Sequence, residues 1–240
     1  MKNVNVGALR EGKLRLMNKG RFRNRFIKCD TKGLDVIKVL EGNLDKISTP
    51  LYNLPIELIH GTAKTPFAVA YPYLYGYKTL NDVLKCKINF NKDKVADNIV
   101  TIVNEYESLG MNYFDLHDKN FMLDSCGKLK VVDVDGADLH TSEGLRMNTI
   151  CNFWDLIIEM YLYHFYPEYP LCVSSTYGYE FIEDYFSKEF IEYLDAVIRD
   201  DYECLSVNPG IYLPEFHDQE KIQTLSKKLE DKFVTYKTKK

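Results

Sequence analysis

The stretch from Asn112 to Asp138, NYFDLHDKNFMLDSCGKLKVVDVDGAD, constrains this chain more than any other. Two short apolar runs, Phe121 to Leu123 and Leu129 to Val134, flank the turn residues Asp124, Ser125, Cys126 and Gly127, the pattern of a β-hairpin. Asp115 stands five residues before Asn120, and Asn120 thirteen before Asp133. A hairpin fixes the separation of its ends, so polar side chains at its base form a rigid set. Asp and Asn are also ordinary turn residues, and taken singly each of the three reads as part of a polar hairpin.

The segment that leads into this stretch is helical in pattern. Val95, Ile99, Ile102, Val103, Tyr106 and Leu109 recur on one face, with Asn91 as a cap and Gly110 just past the end. The Asn112–Asp138 stretch therefore begins where a buried helix stops. Upstream, Lys13 to Cys29 predicts two strands joined by a turn, and Asp35 to Leu40, DVIKVL, predicts a third strand. Lys38 is the one charge inside that β-branched run, and two uses compete for it: a solvent-facing lysine on a half-buried strand, or a cation projecting toward an anion. Pro50, Pro55 and Gly61 restrict residues 41–65 to short elements, with Pro55 able to open a helical turn that carries Glu57. Phe67 to Tyr73 reads as a buried strand, Tyr75-Gly76-Tyr77 as a linker, and TLNDVLK as a short helix.

Beyond Asp138, a polar segment precedes an apolar helix over Thr149 to Tyr166, around Trp154, Leu156, Ile157 and Met160. Further helices are predicted at Lys188 to Arg199 and Asp218 to Phe233, with a frayed tail VTYKTKK. Strands first and helices afterwards give the α+β class. At 240 residues the chain is one folding unit or two small lobes packed together.

Charge and cysteine usage limit the function. The net charge of −4 argues against a general polyanion binder. The run GRFRNRFIK is locally basic and aromatic, and three uses compete for it: nucleic-acid contact through Arg21, Arg23 and Arg25, a phosphate-covering hairpin through Gly20, or a solvated strand face. The six cysteines show no C-x-x-C pair, which fits reduced thiols in a cytoplasm. The N-terminal residues carry charges throughout and no apolar centre, and no run approaches the roughly 18 apolar residues of a membrane helix, so a soluble protein is expected.

Phosphoryl transfer from a nucleotide needs a carboxylate to orient the acceptor hydroxyl and oxygen ligands for a magnesium ion. Asp115, Asn120 and Asp133 supply those types. Their spacing, with the helix ending ESLGMNYFD, resembles the catalytic loop through metal-binding loop of the protein-kinase-like superfamily, which includes aminoglycoside and choline phosphotransferases. The resemblance implies a bilobal kinase-like fold: a small β-rich N-lobe over about 1–74, a hinge over about 71–78, and a mainly helical, compact C-lobe over 79–240. It implies Asp115 as catalytic base, Asn120 and Asp133 as Mg2+ ligands, Lys38 as the contact to the ATP α- and β-phosphates, Glu57 (or nearby Glu41) as its partner, and Gly20 near the phosphates.

Departures from the family pattern narrow the reading. Tyr113 and Phe114 replace the usual His-Arg pair before the catalytic Asp, Gly20 stands alone where three glycines are usual, and no Ala-Pro-Glu follows the short segment after Gly136. Asp135 adds a second carboxylate beside Asp133 and either reaches the metal or faces solvent; solvent is the favoured expectation, since one Asp already satisfies the pattern. His117 serves either catalysis or the loop's own structure, and Lys119 supplies a positive charge four residues after Asp115. The expected activity is an ATP- and Mg2+-dependent phosphotransferase with an unidentified protein or small-molecule acceptor. The alternative is a pseudokinase-like nucleotide-binding regulatory module.

Overall fold

The computed structural model describes residues 14–17, 25–28, 33–60, 66–162 and 183–237. The fold is mixed α+β, with small antiparallel sheets. β1 (Leu14–Met17) and β2 (Arg25–Lys28) are the two strands predicted within Lys13 to Cys29, and they pair antiparallel. They join β3 (Glu57–His60) and β4 (Pro66–Pro72) in a sheet of order β1-β2-β4-β3.

The third predicted strand is a helix. Residues Leu34–Glu41 form α1, because Leu34, Ile37 and Leu40 fall three apart, Val36 lies four before Leu40, and all four are buried. DVIKVL satisfies β-propensity locally, but burying one helical face of Leu34 to Leu40 against the core overrides it. The helical turn expected after Pro55 is likewise absent: Glu57 lies in β3, opposite Ala70 of β4.

β5 (Lys78–Thr79) leads into α2 (Leu80–Lys85), capped by the Thr79 side chain. α3 (Lys92–Ser108) has the predicted cap, with Asn91 accepting from the Lys94 amide at 2.9 Å. The chain then reverses through Gly110, whose φ of +73° suits a residue without a β-carbon. β6 (Asn112–Tyr113) pairs with β9 (Ala137–Asp138), while β7 (Phe121–Leu123) and β8 (Leu129–Val131) form the predicted hairpin.

α4 (Glu143–Leu162) starts earlier than its apolar run suggests, and Phe153, Trp154, Ile157 and Met160 are fully enclosed. α5 (Lys188–Ile198) and α6 (Gln219–Lys237) follow; α6 runs through much of the tail expected to fray. One core cluster extends from α1 through β4, α3 and the hairpin to α4, α5 and α6. Among the described residues no helix is long and apolar enough to cross a membrane.

Candidate active site

Two buried tyrosines set the platform. Tyr106 of α3 and Tyr113 of β6 stack with ring centroids 4.7 Å apart. The Tyr106 hydroxyl donates to the Val134 carbonyl at 2.6 Å, and the Tyr113 hydroxyl to the Asp133 carbonyl at 3.1 Å. Burial raises the pKa of both phenols well above the ordinary value, so each remains a donor. The helix predicted to lead into Asp115 therefore also holds the backbone beside Asp133. The β6–β9 pairing closes the same arrangement from the other side of that loop.

On this platform the Asp115 carboxylate is held at both oxygens. Asn120 Nδ2 donates to Oδ2 at 2.7 Å and to the Asp115 carbonyl at 3.0 Å, while His117 Nε2 lies 3.2 Å from Oδ1. His117 Nδ1 accepts from the Lys119 amide at 3.2 Å, so the ring is built into the loop and its neutral Nε2–H tautomer satisfies both contacts. This favours the structural role for His117. With the Asn120 amide nitrogen committed to Asp115, the Asn120 side-chain oxygen is left for another partner.

The cation facing Asp133 is Lys28. Its Nζ lies 2.7 Å from Asp133 Oδ1 and 2.8 Å from Asp135 Oδ2, and Asp135 Oδ1 accepts from the Tyr71 hydroxyl at 3.3 Å. Burial disfavours the lysine's charge, but the hydrogen bonds and charges of the two carboxylates outweigh it and raise its pKa above the ordinary value. Burial also raises the Asp135 pKa, with Lys28 opposing and Asp133 reinforcing the shift. The Asp135 side chain is only 4% exposed, against the expectation that it faces solvent. Gly33, at the N-terminus of α1, makes room for it, since a β-carbon there would overlap the Asp135 side chain.

Lys38 and Glu57 are elsewhere. Lys38 sits on the outer face of α1, 62% exposed, and pairs with Asp35 at 2.7 Å one turn away. Glu57 is on the wrong face of the sheet: it stands opposite Ala70 and Ile27, whereas Lys28 stands opposite Val69 and Leu58, and directly paired residues share a face. Gly20, Arg21 and Arg23 lie outside the described residues. RFIK carries no polar–apolar alternation that marks Lys28; the pairing of β2 with β4 puts Phe26 and Lys28 on one face and Ile27 on the other.

A cavity of about 510 Å³ opens between the sheet and the hairpin. Phe26, Lys28, Tyr71 and the segment Pro72 to Leu74 line it on one side; Lys119, Asn120, Met122, Val132 and Asp133 line it on the other. Its volume and its mixture of aromatic walls with a few charged groups suit a nucleotide-sized ligand. Among the described residues no three His, Cys, Asp or Glu side chains form a metal-holding group. The Asn120 amide oxygen and the Asp133 carboxylate are two hard donors, a set that fits magnesium, which takes few protein oxygens and completes its shell with water and phosphate.

No protein-family model matches the chain, and no curated protein matches it.

Proposed function

We propose that the chain is an ATP- and Mg2+-dependent phosphotransferase of bilobal, protein-kinase-like fold. Its N-lobe would span about 1–74, its hinge about 71–78 and its C-lobe 79–240. The observation that carries the reading is a convergence: Lys28, Lys119, Asn120 and Asp133 line one cavity, and Asp115 is hydrogen-bonded to Asn120 at its edge. Elements more than a hundred residues apart in sequence supply these groups.

Asp115, fixed by Asn120 and His117, orients the acceptor hydroxyl and accepts its proton as the new O–P bond forms. Lys28 takes the place that sequence analysis gave to Lys38, offsetting the charge of the nucleotide phosphates. Asp135, itself held by the Tyr71 hydroxyl, holds Lys28, the part expected of Glu57. Lys119 adds a second cation at the cavity wall. Magnesium, held by Asn120 and Asp133, would neutralise charge on the transferring phosphoryl group. The acceptor is a protein or a small molecule bearing an alcohol.

Labelled ATP, incubated with the protein alone and with extract split into protein and metabolite fractions, tests the reading. Asp115→Asn should spare nucleotide binding and remove transfer; Asp133→Asn should remove Mg2+-dependent nucleotide binding. Unchanged turnover in either variant rejects that residue's role.

One observation favours a second reading, a pseudokinase-like regulatory module. Lys28 bonds Asp133 directly, so one carboxylate oxygen of the proposed metal ligand is engaged by a cation. Thermal stabilisation by ATP with no transfer to any acceptor fraction selects this alternative.

A further inference from the structure

A second cavity, of about 230 Å³, shares no lining residue with the first. It lies among the second half of α3, β6, the first half of α4 and the 3-10 turns at Tyr202–Ser206 and Pro209–Tyr212. Its floor is mainly apolar: Val103, Met111, Tyr113, Ile150 and Leu205 are all buried, and the two buried polar residues beside them, Asn112 and Thr149, already donate to the His140 and Leu145 carbonyls. Its rim is polar and carries both signs of charge. Arg146 pairs with Glu107 there and also donates to the Leu205 carbonyl at 3.2 Å. Across the opening, Asn208 Nδ2 donates to Asn104 Oδ1 at 3.3 Å.

The rim pair is 37% and 48% exposed, and an ion pair that open to water contributes little to stability. A ligand carrying both charges can separate the pair at small cost and restore a charge-assisted hydrogen bond to each member. A ligand with one charge leaves either Arg146 or Glu107 without its counter-ion. The volume is below the roughly 300–1,000 Å³ of drug-sized sites, which limits the occupant to a small molecule. The floor offers no charge, so the remainder of that molecule is apolar.

We propose that this cavity binds a free α-amino acid with an apolar side chain, its carboxylate on Arg146, its ammonium on Glu107 and its side chain on the Tyr113–Ile150 floor. The site does not depend on the phosphotransferase reading, and its test uses no nucleotide.

The full chain would be titrated calorimetrically with L-leucine and L-phenylalanine, and with the amine and the acid that lack leucine's carboxylate or ammonium group. Saturable binding of one amino acid per chain is expected, weakened roughly 10- to 100-fold by removing either charged group from the ligand. Arg146→Gln should weaken leucine binding by a similar factor, and Asn104→Phe, which fills the cavity, should abolish it while circular dichroism stays unchanged. No binding of either amino acid up to about 10 mM overturns the proposal. So does equal binding of leucine, the amine and the acid, or leucine affinity unaltered in a folded Asn104→Phe variant.

Discussion

Gly33 and Asp135 are in direct contact: the α1 N-terminus abuts the Asp135 side chain so closely that a β-carbon on Gly33 would overlap it. Gly33 has φ of −84°, a value open to any residue, so the requirement for glycine here is steric and not conformational. Gly33→Ala should therefore force α1 or the Asp135 loop to shift, destabilising the fold by about 1–3 kcal/mol. A urea midpoint equal to wild type would show that Asp135 does not occupy this position.

Lys28 and Lys38 make a matched pair for testing which lysine serves the site. Lys28→Met strips the counter-ion from Asp135, which is 4% exposed, and should cost about 3 kcal/mol. Adding Asp135→Asn should recover part of that loss, because the buried charge is then gone. Lys38→Met removes only an exposed one-turn pair with Asp35 and should leave the melting temperature and ATP binding unchanged. Loss of ATP binding in Lys38→Met with retention in Lys28→Met would reverse the assignment.

The contrast between those lysines also measures what the sequence disclosed. The β7–β8 hairpin and α3 were legible because their signals are local: turn residues between apolar triplets, and an apolar stripe capped by Asn91. That Asn120 and Asp133 come together was legible because the hairpin fixes its two ends, and Asp115 follows through its bond to Asn120 five residues on. α1 was not, because the window Asp35 to Leu40 omits Leu34, and without it two of the three-residue steps that define the buried face are reduced to one. Once DVIKVL is read as a strand, Lys38 follows as the inward cation. Lys28 was hidden among the neighbouring basic residues, and only pairing of β2 with β4 singles it out. Asp135 depended on two distant contacts, Lys28 and Tyr71, that no local pattern reports.

Glu159 makes stability depend on pH. Burial, reinforced by Asp118 and Asp155 and opposed by Lys85 and Lys119, pushes its pKa from 4.5 up to about 7. The folded state therefore binds more protons than the unfolded state between those values, so this group's contribution falls as pH rises through the window, and its full penalty is felt above the upper value. Glu159→Gln should stabilise the protein by about 1–2 kcal/mol at about pH 8, allowing for partial solvent screening, and should have no effect at about pH 4. Chemical denaturation of both proteins across the range checks the sign; equal stabilisation at both ends would exclude titration as the cause.

Gly136 and Gly127 are glycines for different reasons, and substituting each by alanine separates site geometry from backbone strain. A β-carbon on Gly136 would lie 3.0 Å from the Asp115 β-carbon and 3.2 Å from the Asp133 carbonyl oxygen. Asp115 is held by Asn120 and His117 and cannot give way without breaking those bonds. Gly136→Ala should therefore displace the Asp115 carboxylate and, on the phosphotransferase proposal, lower the transfer rate about 10- to 100-fold while ATP binding, which that proposal assigns to Lys28 and the cavity walls, changes little. Gly127 has φ of +75° at the hairpin tip and nothing within 4 Å of its β-position. Gly127→Ala should cost about 1 kcal/mol of stability through left-handed backbone strain and leave the transfer rate intact. Rate and stability falling in parallel in both variants would mean that Gly136 acts through the fold and not through Asp115.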